Sequence, residues 1–88
     1  MPKISEFYGI KIFIYWEDQN QHHLPHFHAF YGEYEATFKL NGTHMIGKIP
    51  RMAKKLIKKW ALENHEQIEY AWKQAVMKKP LPAIEGLK

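Results

Sequence analysis

Two short turn signals, Gly32-Glu33 and Asn41-Gly42, bracket an alternating stretch and constrain the fold more than any other feature of the chain. Gly at the first position of a two-residue loop suits a type II′ hairpin, and Asn-Gly suits type I′. The flanking runs His26 to Tyr31, Tyr34 to Leu40 and Thr43 to Lys48 read as strands. Two-residue loops also set the register. Across Gly32-Glu33, Tyr31 faces Tyr34, Ala29 faces Ala36 and Phe27 faces Phe38, which makes one apolar face. The other face pairs Phe30 with Glu35, His28 with Thr37 and His26 with Lys39. Across Asn41-Gly42 the same rule pairs Phe38 with Met45 and Lys39 with His44. His26, His28, Glu35, Thr37, Lys39 and His44 are thus expected on one polar face. A slip of one residue would bury the histidines and expose the aromatic rings, so the pattern favours this register.

Upstream, Ile10, Ile12, Ile14 and Trp16 alternate with Lys11, Phe13 and Tyr15, which predicts a strand apolar on both sides and interior to the sheet. Glu17 to Leu24 reads as a polar loop. Pro25, lacking an amide donor, suits the first residue of a strand. Phe7 and Tyr8, before Gly9, fall in no assigned element. Downstream, Pro50 opens a helix. Met52, Ala53, Leu56, Ile57 and Trp60 fall in one apolar arc, with Arg51, Lys54, Lys55, Lys58 and Lys59 opposite and Leu62 alone among them. Asn64 is placed to cap a second helix, whose stripe is Ile68, Trp72, Ala75 and Val76. Lys78, Lys79, Pro80 and Pro82 end it. Leu81 and Ile84, in the strip to Lys88, either pack back or dock a partner. The expected architecture is α+β: one domain over residues 1–88, with a small antiparallel sheet of about four strands followed by two helices packed on one face.

The chain has no cysteine, which excludes disulfides and thiolate metal sites. It has no apolar run of signal-peptide or membrane-spanning length, so a soluble cytoplasmic protein without a membrane partner is expected. Charge is split along the chain. Residues 1–35 hold Lys3 and Lys11 against five acids; residues 36–88 hold eleven basic residues against four acids. From Lys48 to Lys59 there are six positive residues (Lys48, Arg51, Lys54, Lys55, Lys58, Lys59) and no negative one. Helical lysines are usually interspersed with glutamates at i, i+4. Unbroken sign points to an anionic partner, RNA, DNA or an acidic protein, through counterion release or direct pairing.

Four of the six histidines lie between His22 and His28. They admit three readings. In the first, His26 and His28 act as acid and base, with Glu35 beside them and Lys39 steadying charge, as metal-independent RNA cleavage requires. No cofactor is needed for that. In the second, His23, His26 and His28 bind a divalent transition metal, with Glu35 or Asp18 completing the set. In the third, the histidines are structural, bonded to Thr37 and Glu35, and the chain is a non-enzymatic nucleic-acid- or partner-binding module of transcriptional-regulator type. Phe30 belongs on the same face, where its ring could stack on a base.

Several motifs together resemble a known family. The opening Met-Pro-x-Ile-Ser-x-Phe-Tyr-Gly-Ile, Pro25-His26-Phe27-His28-Ala29, Tyr31-Gly32-x-Tyr34-Glu35-Ala36, Gly47-Lys48-Ile49-Pro50-Arg51, the pattern around Trp60, His65 and Trp72, and Leu81-Pro82-x-Ile84-Glu85 are similar to the bacterial domain-of-unknown-function 4160 family. The family pattern runs Asp-His-x-Pro-Pro-His-Phe-His. Here the loop after Asp18 is longer and one proline is lost, which leaves His26 and His28 as the residues carried over. The resemblance implies one component of a two-gene toxin–antitoxin-like module, more in keeping with the toxin. Its implied partners are a small protein from the neighbouring gene and nucleic acid, with self-association also open.

Overall fold

The computed structural model describes residues 3–14 and 25–88. Trp16, Asp18, His22 and His23, and the polar loop expected over residues 17–24, lie outside the described residues. Five strands form one antiparallel meander: β1 (Lys3–Phe7), β2 (Ile10–Phe13), β3 (His26–Tyr31), β4 (Tyr34–Lys39) and β5 (His44–Lys48), in spatial order β1-β2-β3-β4-β5. Two helices follow, α1 (Arg51–Glu63) and α2 (His65–Val76). The fold is therefore α+β, with one more strand than expected. The extra strand is β1. It joins β2 through Tyr8 and Gly9, both at positive φ (49° and 80°), the backbone that a type I′ turn demands. β2 then lies between β1 and β3, as its two apolar sides require.

The β3–β4 register is the expected one throughout, from Tyr31 opposite Tyr34 to His26 opposite Lys39. Gly32 alone has positive φ in that turn, as type II′ specifies. The next hairpin departs from expectation. The Gly42 amide donates to the Lys39 carbonyl and the Lys39 amide to the Thr43 carbonyl, each at 2.8 Å, so three residues (Leu40, Asn41, Gly42) form the loop. This is a type I turn closed by a residue in the left-handed region, Gly42 at φ +92°. A Cβ there would come to 2.9 Å from the Lys58 Cα, so only glycine lets the hairpin tip press against α1. The ladder shifts again between Thr37 and Phe38, which leaves Met45 without a partner residue. Because of the three-residue loop, Phe38 opposes His44, not Met45, and the His44 ring lies 5.4 Å from the Phe38 ring. His44 thus leaves the polar set and joins the helix side of the sheet.

The core begins from that side. Phe27 and Phe38 stack at 5.6 Å, and Trp60 of α1 meets Phe27 edge-on at 5.5 Å. All three are fully buried. Each such side chain contributes about 1.5–3 kcal/mol by leaving water. α1 rests on Ala53, Ile57, Trp60 and Ala61. The small alanines let the helix approach closely, and its buried stripe is rotated away from Met52, which is 59% exposed rather than part of the core. Asn64 turns its side chain back to the Trp60 carbonyl at 2.9 Å, closing α1 instead of capping α2. α2 buries Ile68, Ala71, Trp72 and Ala75, leaving Val76 exposed. Its footing differs from that of α1. The Trp72 ring lies 5.5 Å from His26, a residue of the set that points away from Phe27. α2 ends in a Schellman cap, with Lys79 donating to Gln74 and Lys78, at φ +57°, donating to Ala75.

The tail packs back. The Ile84 amide donates to the Ile4 carbonyl at 2.6 Å, the Trp60 indole N–H donates to the Glu85 carbonyl at 3.0 Å, and Ile84 is buried. Two exposed ion pairs flank this strap, Lys3–Glu6 and Lys88–Glu85, each at 2.6 Å. Hydrogen bonding to Lys3 and to Lys88 holds the Glu6 and Glu85 carboxyls below their ordinary value.

Candidate functional site

Two groups of candidate residues occupy opposite sides of the sheet, except that Lys48, opposite Glu35 in the ladder, shares the side of the first. The first is the strand set. Alternation along β3 and the tight turn at Gly32-Glu33 bring His26, His28, Glu35, Thr37 and Lys39 to the face away from α1. His26 and His28 sit with ring centroids 5.2 Å apart, and His26 also packs on Trp72. His28 is about nine-tenths buried, deeper than a solvent-facing histidine would be. Its Nδ1 lies 3.9 Å from Glu35 Oε2, near enough for an ion pair when the imidazole is protonated but too far for a hydrogen bond. The Thr37 hydroxyl, opposite His28, is buried with no hydrogen-bond partner among the described residues. Glu35 and Lys39 are exposed. The same face carries Phe13 and Phe30, in edge-to-face contact at 5.3 Å. Phe30 was expected there; Phe13 follows from β2 pairing it with His28.

Of the metal-ligating alternative, His26 and His28 are adjacent and His23 lies outside the described residues. No group of three or more metal-ligating side chains occurs among the described residues.

The second set lies on α1 and its approach. Lys48, Arg51, Lys55, Lys58 and Lys59 are exposed and Lys54 is half-buried. None of the six is paired with an acid among the described residues, where the ion pairs are Lys3–Glu6, His28–Glu35, His65–Glu69 and Lys88–Glu85. The helix supplies no anion of its own where one would stabilise it. Its first turn has no acidic residue, and its cap, Pro50, offers no side-chain acceptor. Cations at the positive end of a helix dipole are unfavourable by roughly 0.3–1 kcal/mol each. Arg51 and Lys54 are therefore placed against the stability of α1 itself.

The sequence did not point to His44 as a neighbour of this helix. It lies beside the Lys54–Leu62 side of α1, with its Nε2–H donating to the Gly47 carbonyl at 2.8 Å. A three-residue reading of the Asn41-Gly42 loop would have placed it there.

The molecule is a five-stranded meander carrying an amphipathic helix whose basic face pairs with no acid among the described residues. Residues 9–73 match the family described as domain of unknown function DUF4160, and the chain belongs to that family. The matched span runs from the β1–β2 turn into α2. β1 and the tail, which bond to each other, lie outside it. No curated protein and no solved structure matches the chain. No described helix is long and apolar enough to cross a membrane.

Proposed function

We propose that this protein binds nucleic acid through the outer face of α1, holding the phosphate backbone without reading bases. The observation that carries the proposal is the run of six cations from Lys48 to Lys59, uninterrupted by an acid and unpaired among the described residues. Two of them oppose the helix dipole, an arrangement that an anionic partner relieves. The test is fluorescence anisotropy with labelled RNA and DNA oligonucleotides across a salt series. The four exposed cations of α1 predict a log–log salt slope of about −2.8 to −3.6. Arg51→Glu with Lys55→Glu should flatten the slope and weaken binding while making α1 more stable. Absence of binding, or binding indifferent to salt, overturns the proposal.

A second reading, cleavage of RNA by His26 and His28 with Glu35 and Lys39, is favoured by the 5.2 Å approach of the two imidazoles and the Glu35 carboxylate at 3.9 Å. It is the weaker of the two. The sheet separates these residues from α1, so RNA lying on the helix would have to pass round an edge to reach them. The check is an RNA cleavage assay comparing the parent with His26→Ala and His28→Ala; equal activity removes the reading. The wider expectation of a two-gene module, with this chain as the toxin and a small neighbouring gene product as its partner, rests on the family resemblance. Its test is growth arrest on expression alone, relieved by that partner.

A further inference from the structure

Between α1 and the β4–β5 hairpin runs a groove of about 620 Å³, within the range of small-ligand pockets. Its walls follow from features already described. Gly42 lets the hairpin tip touch α1 at Lys58 and Ala61, and the three-residue loop brings His44 to the helix side, beside Phe38. Thr43 and His44 form one wall. Lys54, Lys58 and Leu62, at i, i+4 and i+8, form the other, with Lys55 and Lys59 on the rim. The lining is almost wholly apolar, and Leu62 is 58% exposed. His44 is held in place by its bond to the Gly47 carbonyl.

An open apolar groove with four lysines in its lining offers more than a phosphate backbone requires, because backbone contacts are made by charge at the surface. It matches a side chain that is apolar and flanked by carboxylates. We infer that this groove receives an acidic segment of a partner protein. One apolar side chain enters beside Leu62 and Phe38, and neighbouring Asp or Glu residues meet Lys54, Lys55, Lys58 and Lys59. The net charge of +4 favours a partner of opposite sign over a second copy. The inference goes beyond nucleic-acid binding but shares its lysines, so the two ligands compete for one face of α1.

The experiment uses the whole chain and two labelled acidic peptides, identical except for a central Leu in one and Ser in the other, with a labelled oligonucleotide in parallel. The Leu peptide should bind about tenfold more tightly than the Ser peptide, the scale of burying one aliphatic side chain. Leu62→Ser, at an exposed position and checked by circular dichroism, should abolish that preference and leave oligonucleotide affinity unchanged. Excess Leu peptide should displace the oligonucleotide. Equal binding of the two peptides, or a Leu62→Ser effect of the same size on the oligonucleotide, overturns the inference. So does a dimer in sedimentation that Leu62→Ser dissolves. If the oligonucleotide binds with its expected salt slope and neither peptide binds, this inference falls and the nucleic-acid reading stands. If the Leu peptide binds with its preference and the oligonucleotide does not, the reverse holds.

Discussion

The two edges of the sheet are protected by opposite means. The β1 edge is closed by a distant part of the chain. Ile84 hydrogen-bonds to Ile4 and is buried, and Gly86 fits so closely that a Cβ would come to 2.9 Å from the Phe7 Cβ. The β5 edge has no strand beyond it among the described residues, and Ile46 there is 68% exposed. Local backbone geometry guards it instead. Met45 is bulged out of the ladder, Gly47 takes φ +93°, Lys48 carries charge, and the His44 imidazole caps the Gly47 carbonyl. One edge is thus secured by long-range packing, which adds stability. The other is secured by irregularity, which discourages further strands and adds little.

The contrast predicts a graded series. Deleting residues 80–88 should have the largest effect. It removes the burial of Ile84 and the hydrogen bonds to Ile4 and Glu85, for a loss of about 3–5 kcal/mol. Thermal denaturation should show this as a fall in Tm of well over 10 °C; a fall of only a few degrees would mean that the β1 edge stands without its strap. Gly47→Ala comes next. Its Cβ would collide with the Glu35 carbonyl oxygen and approach the Ala36 Cα at 2.9 Å, in a backbone conformation that alanine disfavours. We expect a cost of about 2–3 kcal/mol in urea denaturation. An unchanged midpoint would show that the β5 irregularity is dispensable. Ile46→Lys should alter stability by no more than about 0.5 kcal/mol, because the side chain is already in solvent. A larger loss would mean that the β5 edge is covered in solution. Smallest is the pH response of the strap. The Glu6 and Glu85 carboxyls lie below their ordinary value of 4.5 in the folded protein. Their contribution is complete above that value and is lost as pH falls through the lowered folded values. In acid titration, parent and Glu85→Gln should therefore differ by a constant amount above 4.5 and converge as pH falls below it, the variant losing less.

Neighbouring hairpins show why some of this was legible in the sequence and some was not. Gly32-Glu33 is flanked by strands whose two faces differ sharply in polarity, so the loop and the alternation specify the same register. Asn41-Gly42 serves equally as a two-residue loop or as the end of a three-residue one. The choice falls to Leu40, which is buried at 8% exposure, and to the contact of Gly42 with α1, neither of which is local. That single residue moved His44 from the histidine face to the helix groove. β1 is not legible because Lys-Ile-Ser-Glu-Phe does not alternate, and because its outer partner, Ile84, is distant in sequence. The cations of α1 were fully legible because charge on a helix face needs no tertiary contact to be exposed. His26 and His28 were legible in register but not in depth, since the packing of His26 on Trp72 joins two elements that local pattern does not relate.

The bond between Ile4 and Ile84 sets an order of events at the ribosome. Synthesis delivers Ile4 and the whole meander before Ile84, so the meander can form while its first edge is still bare. Loop closure over that separation comes late, and until it does, nascent chains on one messenger expose to each other the edge that the finished protein has covered.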